Sequence, residues 1–100
     1  MVTTGLLIRV EAKPDRADDV EARFKTVVDI VRKEGLAVAW FALRLGPASF
    51  AIFDVFKSEA DREAHLAANG PALEAAGADL FAQPVDISTA RVIASTLPGE

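Results

Sequence analysis

Trp40, Arg44, Asp54 and His65 are the residues of this chain that could do chemistry, because each interrupts a largely aliphatic stretch running from Glu34 to Leu66. The single tryptophan and the single histidine of the sequence both fall inside it. Polar groups in such surroundings need partners or cost free energy. Asp54, between Phe53 and Val55, either accepts hydrogen bonds from backbone or a cation, or acts as a base. Arg44 is either a solvated rim residue or a planar fork for an anionic or phenolate-like oxygen. Trp40 is either a core or interface residue or the wall on which a planar substrate stacks. His65 follows Asp61 by one helical turn, as a surface or capping residue or as a proton acceptor at the end of a cavity. Asn69, one turn further, could donate to a substrate or to oxygen.

The elements that must position these side chains follow from periodicity. Thr4–Ala12 alternates as a strand, with Leu6, Ile8 and Val10 on one side. Asp15 is the expected N-cap of a helix over Arg16 to about Glu34, whose Val20, Phe24, Val27, Val28 and Val31 share one face. Acids open that helix, Arg32 and Lys33 close it, and Gly35 supplies a left-handed stop. Leu36–Leu45 and Ser49–Phe56 are strands joined by Gly46-Pro47-Ala48. Ser58 and Asp61 form a capping box for a helix of about Glu59–Ala68. Asn69-Gly70-Pro71 is expected to interrupt it, Pro71 starting another helix to about Ala82 with Leu73, Ala76 and Leu80 inward. Val85–Ser95 is the last strand.

A three-residue loop pairs Leu45 with Ser49, which sets Trp40 opposite Asp54 and Arg44 opposite Phe50. Even-numbered residues then share a face, so Phe50 and Phe56 join Trp40 as candidate substrate contacts. The order β-α-β-β-α-β implies an α+β, ferredoxin-like fold with a four-stranded antiparallel sheet. Both faces of the hairpin are apolar, yet the helices cover only one. A homodimer whose sheets face each other, closing a dimeric α/β barrel, would cover the other, with the even-numbered face expected to line the shared cavity.

One hundred residues, 51% of them hydrophobic, make one domain, residues 1–100. A net charge of −4 without a basic block argues against nucleic acid. No apolar run is long enough for a membrane span, and the start does not read as a signal peptide, so a cytoplasmic protein is expected. With one histidine and no cysteine there is no convincing metal set. No phosphate-binding glycine pattern or nucleophile elbow occurs, so no cofactor is announced.

Glu34-x-Gly, Trp40-Phe41-Ala42-x-Arg44-x-Gly46-Pro47, Phe50-x-Ile52-Phe53-Asp54-x-Phe56 and Arg62-x-Ala64-His65-Leu66 together resemble the antibiotic biosynthesis monooxygenase-type domain family. The resemblance implies a dimeric α+β barrel. It also implies, for some members, oxygenation of small aromatic or quinol-like substrates by dioxygen without metal or flavin. On this chain Trp40 would be the stacking wall, Arg44 the anion clamp, and Asp54 or His65 the proton acceptor. The chain has no tyrosine, so a tyrosine-based proton relay is impossible here. Haem-degrading relatives place an asparagine in the first strand, and Thr4–Ala12 has none. A non-catalytic ligand-binding or dimerisation module of the same fold is the competing class, and an isomerase or decarboxylase a third.

Overall fold

In the computed structural model, which describes residues 2–99, β1 (Thr4–Glu11), α1 (Ala17–Glu34), β2 (Ala37–Arg44), β3 (Ser49–Phe56), α2 (Glu59–Leu80) and β4 (Asp86–Arg91) follow in that order. A single 3-10 turn, Pro14–Arg16, leads into α1. Asp15 lies in that turn, and the residue before α1 is Arg16, whose side chain makes no cap bond to the helix. Proline fixes φ near the helical value, and that is enough to begin the turn without a side-chain cap. Gly35 ends α1 with φ 72°, and its amide donates to the Val31 carbonyl.

The sheet is antiparallel throughout, in the order β2-β3-β1-β4. Leu45 N–H donates to the Ser49 carbonyl at 2.8 Å, so the three-residue loop closes as expected. Trp40 pairs with Asp54 and Arg44 with Phe50. A bulge between Ala37 and Ala39 breaks the alternation of β2 at its start, and Val38 is exposed there.

The second helix differs from expectation. Ser58 caps it, accepting from the Asp61 amide at 3.1 Å. It then continues through Asn69-Gly70-Pro71 to Leu80 as one element. Pro71 removes one amide from the helical ladder, but the inward residues Leu66, Leu73, Ala76 and Leu80 on either side pack on the same core. Continuous burial outweighs one lost hydrogen bond. The last strand is also shorter than Val85–Ser95, ending at Arg91.

The core lies between the helices and one sheet face. Leu6, Ile8, Val10, Phe50, Ile52 and Phe56 meet Val20 and Phe24 of α1 and Ala76 and Leu80 of α2. The even-numbered face is therefore the helix-covered one, inside the subunit, and not the face that would line a cavity between two sheets. The odd-numbered face is uncovered: Phe41 is 52% and Leu43 45% exposed. Because both faces are apolar, the pattern gives parity but cannot say which side the helices take. Among the described residues no helix is long and apolar enough to cross a membrane.

Candidate active site

The register of β2, β3 and β1 sets Asp54 between Trp40 and Leu6 on the covered face. Asp54 is 0% exposed, and neither carboxylate oxygen has an aligned hydrogen-bond partner. Its compensation is an ion-pair contact of 3.1 Å from Oδ2 to Nε2 of His65. His65, on the inward face of α2, is itself 4% exposed. Its other ring nitrogen, Nδ1, lies 2.6 Å from Oε1 of Glu34 at the end of α1. Asn69 braces the cluster by donating to Glu34 Oε2 at 2.8 Å and to the His65 carbonyl at 2.9 Å. Phe56 packs its ring against the imidazole at 5.2 Å between centroids.

An imidazole held between two carboxylates satisfies both only when it donates from both nitrogens, which is the imidazolium. Burial opposes that charge, but the side chains of Asp54 and Glu34 outweigh burial and raise the His65 pKa above its ordinary value. Among the described residues no group of three or more His, Asp or Glu side chains is arranged to hold a metal ion. The two acids sit on opposite ring nitrogens and do not surround one point.

His65 and Asn69 form one end of a cavity of about 130 Å³. Ile8 and Ile52 line it from the sheet, Phe24 and Val27 from α1, and Leu73 from α2. Trp40 lines this cavity and also a neighbouring open groove that contains Arg44 and Phe50. It thus stands as a partition between them.

The structure therefore brings Trp40, Asp54, His65 and Asn69 together, with Phe56 behind the imidazole. It sets Arg44 and Phe50 apart from them. Arg44 bonds Asp18 at 3.1 Å and Glu21 at 3.3 Å, donates to the Pro47 carbonyl at 2.7 Å, and stacks over Phe50 at 5.2 Å. That guanidinium ties the hairpin end to α1. Glu34, which opens the Glu34-x-Gly motif and ends α1, is a site residue to which the sequence assigns no role. A signal was present: an acid in the last helical turn opposes the helix dipole and calls for a partner.

The family model for antibiotic biosynthesis monooxygenase matches residues 4–76. A solved protein of unknown function from Nitrosomonas europaea is 35% identical, with a TM-score of 0.91 over 100% of this chain and 98% of that one. A protein from Mycobacterium tuberculosis shares the fold at 14% identity and a TM-score of 0.80, over 94% and 98% of the two chains. An antibiotic biosynthesis monooxygenase does so at 16% and 0.71, over 91% and 99%. No curated protein matches the sequence. With the family model matching most of its length, the chain belongs to the antibiotic biosynthesis monooxygenase family.

Proposed function

We propose that this protein is a cofactor-independent monooxygenase acting on a small aromatic or quinol-like molecule bound between its helices and its sheet. The observation that carries the reading is an apolar cavity of about 130 Å³ ending on a buried imidazole held by two carboxylates. Cavities of roughly that size accept one six-membered ring. Trp40 and Phe24 offer the ring an aromatic wall. With His65 charged and both carboxylates ionised, the cluster carries one net negative charge, which a single arriving proton neutralises. The proton acceptor is therefore a carboxylate of the pair Asp54 and Glu34, with the His65 imidazolium between them as the proton carrier.

In such chemistry the substrate supplies the electrons. Deprotonation makes it electron-rich and it reduces dioxygen: one ring C–H becomes C–OH while the quinol becomes a quinone, so one oxygen atom is kept and the other leaves as water. The protein takes the proton, orients the ring and keeps bulk water out. Oxygen uptake with reduced single-ring quinols tests this. The wild type should exceed the spontaneous rate, and Asp54→Asn should lower the enzymatic part about 100-fold, as expected for loss of a positioned base. Uptake equal to the spontaneous rate with ligand still bound would favour the non-catalytic binding module. Turnover without oxygen would favour an isomerase or decarboxylase.

The reading includes a homodimer formed through the uncovered odd-numbered face. Phe41 and Leu43 are exposed there, with Leu7 and Phe53 half-buried beside them. A contiguous apolar patch of this kind is uncommon on a soluble monomer.

A further inference from the structure

We infer that the ligand of this cavity is a single-ring aromatic carrying an anionic group, read at the outer end by Arg23. The inference rests on the cavity being the ligand site, as proposed above, but on no oxidation step. The two helices run antiparallel: Arg16 near the start of α1 pairs with Asp79 near the end of α2 at 3.2 Å, while Glu34 at the end of α1 meets His65 in the first half of α2. The cavity is the slot between them. Arg23, Val27 and Ile30 line it from α1 at helical spacing, so they share one face.

The slot is polarised along its length. At one end Asp54 and Glu34 flank His65. Arg23 lies toward the other, about 16 Å from Glu34 along the α1 axis at 1.5 Å per residue and one turn short of Val20, which also lines the cavity. Every polar side chain at the inner end is already committed: His65 to two carboxylates, Asn69 to Glu34 and a carbonyl. Arg23 is exposed and, among the described residues, its guanidinium has no ion-pair or hydrogen-bond partner. The acids near it are taken, Asp19 by Arg16 and Glu21 by Arg44.

A ligand entering this slot meets net negative charge within and an unpaired cation at the mouth. An anionic group is repelled from the inner end and held at the outer one, so the ring points inward, its hydroxyl toward His65. With the extended arginine side chain spanning part of that distance, the rest fits one ring plus a short spacer. A neutral phenol would fill the same apolar space without the orienting contact.

The test uses the only tryptophan as reporter, since Trp40 lines the cavity and no tyrosine is present. Quenching is measured with 3-(4-hydroxyphenyl)propionate and with 4-ethylphenol, on wild type and Arg23→Gln at low salt. The carboxylate should bind the wild type about fivefold more tightly than the phenol, the size expected of an exposed ion pair. Arg23→Gln should abolish that preference and leave the phenol affinity unchanged. Equal binding of the two probes to the wild type, or a preference that survives Arg23→Gln, overturns the inference. If neither probe binds at millimolar concentration, the cavity is not the ligand site and both proposals fall. Selective carboxylate binding without oxygen uptake supports this inference and counts against the oxygenase alone.

Discussion

His65→Ala is expected to remove about 3–5 kcal/mol of folding stability, the usual cost of deleting one partner of a buried ion pair. The reason lies in Asp54 more than in the histidine. Asp54 is fully buried, without an aligned hydrogen bond, and its 3.1 Å contact with Nε2 is what offsets its desolvation. Alanine at position 65 leaves that carboxylate in the core beside Phe56 and Leu6 with nothing to meet. A double variant, Asp54→Leu with His65→Leu, should lose less than His65→Ala alone, because it removes both charges and keeps the volume filled. Urea midpoints of the three proteins measure this. A His65→Ala protein within 1 kcal/mol of wild type would mean that Asp54 finds compensation elsewhere.

Phe41→Glu is expected to weaken a dimer about a thousandfold. Phe41 sits on the uncovered face opposite Phe53, which in turn pairs with Leu7. Removing a central aromatic anchor costs about 2 kcal/mol. A twofold interface counts it twice, which at 1.4 kcal/mol per decade gives about three decades. The fold should tolerate the change, since the side chain is already 52% exposed. Sedimentation at micromolar concentration should show a wild-type dimer and a folded Phe41→Glu monomer. If both proteins sediment alike, the odd-numbered face is not the interface.

The parts of the fold that could be read from the residues are those with one strong local cause. Val20, Phe24 and Val31 announce α1, and the three-residue loop fixes the pairing of Trp40 with Asp54. The continuity of α2 could not be read, because Asn69-Gly70-Pro71 breaks helices locally and only packing on both sides overrides it. Which face the helices cover could not be read either, since β2 and β3 are apolar on both. Asp54 and His65 stood out as polar exceptions. That Glu34 closes the cluster depends on α1 ending beside α2, a tertiary fact with only the dipole conflict as a local trace.

The state of His65 follows from the same cluster. Its folded pKa is raised, so its stabilising contribution is fully present below the ordinary imidazole value of 6.5 and is lost as the pH rises through the folded-state value above it. Because this is the only histidine, nitrogen NMR of the imidazole reports on it without ambiguity. Both ring nitrogens should read as protonated at pH 6.5, with the titration centred above that pH. A neutral imidazole at pH 6.5, in either tautomer, would contradict the doubly held imidazolium on which the proposed site depends.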